Sequence, residues 1–336
     1  MKLRAITLTF VFDAMSGNYG ETIGNVSELK KISKKGNLYS FISRQAIRYE
    51  LWRFLKEQFG IDTPEYWSSR PQIAEQVKKE LQRVGLPAEL PPSKILHQPK
   101  EVVQFHPSVN ALNCVEADLF GYMKTQQGEN AATRSAVVRL SPAISLEPML
   151  LDTEFGTNKN FADRVGVNPN PFQFEHHSSL YTYTVTVDLD RLGCEFDRSG
   201  KKIAELPKEE KLKRVEMVLD ALPFLIREVK GRTENLSPLF VIGGVYPVKN
   251  PFFMGRVGVS YNRNTDKYSV NTAVLNSIFG LAFKGEPVGK YTHCGFVNGF
   301  WENNFKEELQ LPKDNFIGDI AGFFSRVKEE VRKGLE

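Results

Sequence analysis

The sequence predicts an α+β chain: a ferredoxin-like body of sheet and helices, carrying a helical insertion and a projecting segment. Three observations predict it. With its insertions set aside, the chain reads strand, helix, strand, strand, helix, strand, the split βαβ order that the RNA recognition motif shares. At 336 residues it has length for about two domains, or one domain with large insertions. Apolar residues at 41% and charged residues at 25% are globular values, which exclude a disordered or low-complexity chain.

Leu3–Phe12 alternates as a strand, with Ile6, Leu8, Phe10 and Phe12 on one face and Thr7 and Thr9 on the other. A Gly/Asn-rich loop, DAMSGNYGETIGN, and a basic stretch, LKKISKKGNLYSF, follow. Ser43 is suited to cap a helix from Arg44 to Phe59 that buries Ile47, Leu51, Phe54 and Leu55 and stops at Gly60. Residues 61–115 form the insertion, with a helix near Pro71–Val84 before a Pro-rich run. Ala136–Leu140 is a short strand and residues 147–178 an irregular connection. Leu180–Leu189 is the clearest strand. A charged helix runs from Pro207 to Val229, a strand covers Leu239–Tyr246, a hairpin joins Val257–Tyr261 to Tyr268–Val270, and a last helix covers Ile317–Lys333.

No apolar run approaches the ~20 residues of a membrane span, and no signal-peptide pattern opens the sequence. Three distant cysteines, at 114, 194 and 294, argue against a disulfide framework and for the cytoplasm. Net charge is only +4, yet Lys30–Arg53 alone carries +6 and the rest of the chain −2. Such a concentration marks a polyanion site.

Most catalytic patterns fail. Gly285-x3-Gly289-Lys290-Tyr291 is one residue short of a phosphate loop and lacks its hydroxyl. His176-His177 and His293-Cys294 lack metal-ligand spacing, and no nucleophile motif is present. No metal, cofactor or catalytic residue is therefore expected. One constellation remains: the Gly/Asn stretch, the lysines, and Ser43-Arg44-Gln45-Ala46-Ile47-Arg48. A helix N-terminus and loop amides present donors to an anion. Arg44 and Arg48 share a face at i, i+4, and Ser43 and Gln45 add neutral donors. This set positions a phosphate backbone and does not read bases.

At these residues the chain resembles the backbone subunit of CRISPR type I Cascade complexes, the Cas-seven family, in its DevR-type branch, subtype I-B. The resembling stretch is NYGETIGNVSELKKISKKGNLYSFISRQAIRYELW (Asn18–Trp52), with weaker similarity through DLFGYMK, VVRLSPAISLEP, FQFEHHSSLYTYTVTVDLDRLG and KGRTENLSPLFVIGG. The resemblance implies a hand: an RRM-like palm (1–60, 116–146 and 179–336), fingers (61–115) and a thumb (147–178). It implies crRNA contacts at Asn18, Gly20, Asn25, Lys30, Lys31, Ser43, Arg44, Gln45, Arg48, Met123 and Arg232, and RNA-kinking residues Leu151, Phe155 and Phe161 in the thumb. The implied partners are CRISPR RNA, a target DNA strand paired to the guide, further copies of the chain in a helical filament, and the other Cascade subunits: a guide 5′-end cap subunit, a large subunit and the guide-processing endoribonuclease. The rival reading is an endoribonuclease on the same fold, acting through Asp13 or a histidine such as His177. Related type III subunits cut with an aspartate after the first strand, but the glycine-rich surroundings of that aspartate are absent here.

Overall fold

A computed structural model of the chain describes residues 1–99, 101–125, 132–150 and 152–335. Strand β1 (Ala5–Met15) runs past the predicted end at Phe12. Ile6, Leu8, Phe10 and Phe12 all point into the main core, as their alternation requires.

The Gly/Asn stretch, predicted as a loop, and the basic stretch after it are both largely strand. They fold as two hairpins, β2 (Tyr19–Ile23) with β3 (Val26–Leu29) and β4 (Lys31–Lys34) with β5 (Asn37–Ile42). Turn chemistry decides this. Lys35 and Gly36 have φ of 51° and 79°, the left-handed pair that a type I′ turn needs.

Helix α1 (Arg44–Phe59) has the predicted bounds. Ser43 accepts from the Ala46 N–H at 3.3 Å, a cap worth ~1 kcal/mol, and Gly60 ends the helix at φ 60°. Ile47, Leu51 and Leu55 are buried, while Phe54 packs only at the core's edge.

The insertion is helical only in its first half, in α2 (Pro64–Ser68) and α3 (Pro71–Arg83). Beyond these it is extended, with one short pair, β6 (Leu96–His97) and β7 (Gln104–Phe105). Pro87, Pro91, Pro92 and Pro99 lack the N–H that a helix or ladder needs. The chain returns through α4 (Val115–Phe120), the hairpin of β8 (Tyr122–Lys124) and β9 (Ala132–Arg134), and the short strands β10 (Val138–Leu140) and β11 (Ala143–Ser145).

The stretch 147–178, predicted to be irregular, is built. β12 (Asp152–Thr157) and β13 (Pro171–His176) pair antiparallel, with α5 (Lys159–Val165) at their far end. β13 also pairs parallel with β3, giving a four-stranded sheet in the order β12–β13–β3–β2. The strand signal was hidden because β12 is exposed on both faces, so no buried alternation marks it.

β14 (Ser178–Asp188) pairs with β1 along the whole of β1. Helix α6 (Lys208–Ala221) stops short of the predicted Val229. Pro223 cannot continue the helical ladder; the chain leaves through a 3-10 turn and enters a hairpin, Ile226–Val229 with Arg232–Asn235. The strand Phe240–Tyr246 then joins the other edge of β1. Counting only the strands that α1 and α6 separate, the order across the sheet is Phe240–Tyr246, β1, β14, β10, antiparallel at each step. In chain order that is fourth, first, third, second. α1, α6 and the C-terminal helix Ile320–Leu335 pack on the face bearing Phe10 and Phe12. The other face is also buried, under residues 252–311, in a second cluster containing Val11, Phe240 and Ile242. Thr9 and Thr184 hydrogen-bond on it at 2.8 Å.

Candidate nucleic-acid interface

The end of β1 gathers the pieces that the sequence leaves far apart. Ser16 N–H donates to the His177 carbonyl (3.1 Å), and Lys30 N–H donates to the Asn18 carbonyl (3.0 Å). Met15 N–H donates to Glu234 (3.0 Å). The two hairpins, the β12–β13 arm and the hairpin after α6 thus converge beside the N-terminus of α1.

At that N-terminus Arg44 and Gln45 are exposed, and Arg44 forms no ion pair among the described residues. Arg48, one turn on, is half-buried. It lies 3.9 Å from Glu116 and over the Phe120 ring at 5.1 Å. Burial holds its guanidinium below the ordinary arginine value, against the opposing charge of Glu116 and with a smaller push from Arg44. Two like charges one turn apart are destabilising in isolation and favour an anion between them. Lys34 and Lys35 stand exposed on the β4–β5 hairpin, and Lys30 is partly exposed at its base. Gly20 is exposed, and a Cβ there would make ordinary contacts with the Glu28 carbonyl (3.6 Å) and the Lys30 side chain (3.8 Å).

Other candidates are already engaged. Lys31 bonds Glu175 at 2.7 Å, and the same carboxylate accepts from the Leu29 N–H at 2.8 Å. Burial opposes the Lys31 charge, but Glu175 and Glu28 outweigh it and raise its pKa. Lys31 therefore pins the arm to the start of β4, as the Leu29 N–H pins it to β3. Asn18 is buried, and its Oδ1 accepts from Arg227 at 2.9 Å. Asn25 is exposed and uses its carbonyl to hold Gln173 at 2.9 Å. Arg232 reaches Glu234 and the Met15 carbonyl, both at 2.5 Å. No sequence signal marks Arg227, which donates to the Gly17 carbonyl at 2.5 Å and faces Glu50 at 3.4 Å. Nor does one mark Lys230, stacked over Phe174 at 4.7 Å and Tyr19 at 5.3 Å. Their partners Gly17, Tyr19 and Glu50 lie some 180 to 210 residues away in the chain, and Phe174 is 56 away.

On the arm, Phe155 and Phe161 are 71% and 67% exposed, values that set them apart from core aromatics. Leu151 lies outside the described residues. Met123 is exposed on β8, three residues after the Phe120 that Arg48 covers.

The sequence model described as "CRISPR-associated negative auto-regulator DevR/Csa2" matches residues 6–268. The chain belongs to the DevR/Csa2 family. A curated relative from Myxococcus xanthus (strain DK1622), described as CRISPR-associated protein Cas7/Cst2/DevR, is 25% identical over 187 residues, 53% of this chain and 54% of that protein. The chain thus spans about half the length of the curated relative it matches. Two solved structures are similar in part. One, described as a CRISPR RNA-guided surveillance complex, pre-nicking, has a TM-score of 0.42 at 12% identity, covering 71% of this chain and 77% of that one. The other, described as a CRISPR RNA-guided surveillance complex, has a TM-score of 0.48 at 11% identity, covering 98% and 99%.

In this DevR/Csa2-family chain the rival catalytic candidates Asp13 and His177 both feel the charge of Glu147. Asp13 projects from β1 opposite Leu180. Desolvation, then the charges of Glu147 and Glu234, raise its carboxyl above the ordinary value. His177 is buried, with Nδ1 2.7 Å from the Ser40 hydroxyl, which is itself 2.6 Å from the Tyr181 hydroxyl. His176 lies between Ser16 (3.2 Å) and Glu154 (2.8 Å). Among the described residues no group of three His, Cys, Asp or Glu side chains has metal-binding geometry, and no helix is long and apolar enough to cross a membrane. Cys114, Cys194 and Cys294 are free and buried.

Proposed function

We propose that the chain is a non-enzymatic backbone subunit of a type I CRISPR surveillance complex, of subtype I-B, in the cytoplasm. It polymerises along CRISPR RNA and presents the guide for pairing with a target DNA strand. The observation that carries this reading is the exposed first turn of α1 in a DevR/Csa2-family chain. There Arg44 and Gln45 face solvent above Arg48, beside a hairpin bearing Lys34 and Lys35. That is a phosphate-backbone grip, in which arginine's planar fork suits bidentate contact. Sequence recognition then falls to base pairing.

The strand order fourth, first, third, second supports a ferredoxin-like, RRM-like palm formed by 1–60, 116–146 and 179–336. Residues 61–115 act as fingers and 147–178 as the thumb. In this reading Ser43, Arg44, Gln45, Arg48, Lys30 and the Gly20 backbone touch the RNA. Asn18, Asn25, Lys31 and Arg232 hold the gripping elements in place, and Met123 borders the bases. Phe155 and Phe161 wedge between base steps, where an inserted apolar side chain fixes a bend. The partners are CRISPR RNA, further copies of the chain, a guide 5′-end cap subunit, a large subunit and a guide-processing endoribonuclease.

The test is incubation of the purified protein with labelled single-stranded RNA, with and without magnesium. Bound and intact RNA is expected, with Asp13→Ala behaving as wild type. Cleavage that Asp13→Ala abolishes would make the protein an endoribonuclease instead.

A further inference from the structure

A cavity of about 620 Å³ opens beside Leu3, at the start of β1, whereas the grip lies past the other end of that strand. Across the 11 residues of β1, at about 3.3 Å each, the two lie about 35 Å apart. The cavity floor is aliphatic, with Leu189 and Leu206 buried and Leu3 and Leu335 partly so. Its rim is basic. Lys2, Lys202 and Lys208 are exposed there, and Lys211 is buried in the wall. Two carboxylates, Asp190 and Glu205, face these four lysines, and both are already shared. Asp190 meets Lys2 at 3.5 Å, Arg4 at 2.7 Å and Lys249 at 3.1 Å. Glu205 takes both Lys202 and Lys211. Positive charge is therefore in surplus, and Lys208 has no ion pair among the described residues.

The backbone adds to this surplus. Lys208 is the first residue of α6, and no side chain caps that helix. An uncapped N-terminus presents orphan N–H donors and partial positive charge, which a lysine there opposes. Of the two acids in the first turn, Glu210 is buried against Arg70 and Arg214, and Glu209 does not line the cavity. The site is thus short of carboxylate. It is unsuited to single-stranded nucleic acid, which is held by bases stacked on aromatic rings, because no aromatic side chain lines it among the described residues. Four leucines favour aliphatic side chains instead.

We propose that this cavity docks a segment of a partner protein in which acidic and aliphatic residues are mixed. The aliphatic side chains fill the leucine floor, and the carboxylates meet Lys2, Lys202, Lys208 and the open end of α6. Opposite charge at an exposed rim steers and selects the partner, and apolar burial on the floor holds it. Because the cavity and the grip lie at opposite ends of β1, both can be filled at once. The assignment does not depend on the RNA-binding reading and is tested apart from it.

The test uses the full chain and arrays of short peptides of glutamate and leucine in varied order. Matched arrays carry lysine in place of glutamate, or serine in place of leucine. The glutamate–leucine peptides are expected to bind, and both replacements to abolish binding. The strongest binder, labelled with fluorescein, is then titrated by anisotropy. Lys208→Glu should weaken it by about tenfold or more, each ~1.4 kcal/mol being tenfold, and added salt should weaken it too. Lys208 is exposed, so its replacement leaves the core intact, and the variant should bind RNA as wild type does. Equal affinity of wild type and Lys208→Glu, equal binding of the serine arrays, or no binding to any array would overturn the site. Single-stranded RNA that displaces the peptide, or loss of RNA binding in Lys208→Glu, would make the cavity part of a nucleic-acid path and overturn the protein partner.

Discussion

Arg44 and Arg48 share a face of α1 but differ in their surroundings. Arg44 is exposed and without an ion pair among the described residues, whereas Arg48 is steadied by Glu116 and Phe120. Replacing both with alanine should weaken binding to RNA of every sequence and flatten its salt dependence. Two lost phosphate contacts lower the log–log slope by roughly 1.4 for a single strand. Anisotropy titrations across a salt series measure this, and an unchanged slope would make the pair a solvated face. His177 carries a different prediction. Burial lowers its pKa, although Glu147 and Asp152 oppose the shift, so the folded chain holds it neutral below the unfolded value of about 6.5. Its contribution to stability is complete above that value and is lost as pH falls through the folded pKa. Melting temperature should therefore fall more steeply below pH 6.5 in wild type than in His177→Gln. Parallel profiles would remove His177 as the cause.

At the scale of elements, legibility followed burial and caps. α1 was readable to the residue, because Ser43 and Gly60 mark its ends and a buried stripe marks its face. The β12–β13 arm was not readable. Its first strand has no buried side, and its anchor, Lys31 to Glu175, spans 144 positions. The α6 boundary was missed because charged residues continue past Pro223 as if the helix did. The candidate site divides the same way. Arg44, Gln45 and Arg48 stood in one contiguous motif, while Arg227 and Lys230 reach the site through contacts with residues distant in the chain. The arm also yields a test. Phe155 and Phe161 are largely exposed, so changing both to serine should alter stability by no more than about 0.5 kcal/mol per site. In this account the variant still binds RNA, but without cooperativity between copies. A variant that binds cooperatively, as wild type does, would take the wedge role away from these two residues.

At the scale of the whole molecule, the end of β1 and the N-terminus of α1 bring the proposed grip together, and the β12–β13 arm carries the exposed Phe155 and Phe161. In the proposed reading the arm of one copy meets the next copy on the strand, a head-to-tail contact. Such a contact does not close on itself and generates a helical filament. The length of the assembly is then set by the RNA and not by the protein. Particle mass against RNA length, by light scattering or electron microscopy, tests this most directly. The account predicts a mass that rises in steps of one chain as the RNA lengthens, and single copies on RNA when residues 150–172 are deleted. A particle of fixed mass at every RNA length, the same for wild type and deletion, would contradict it.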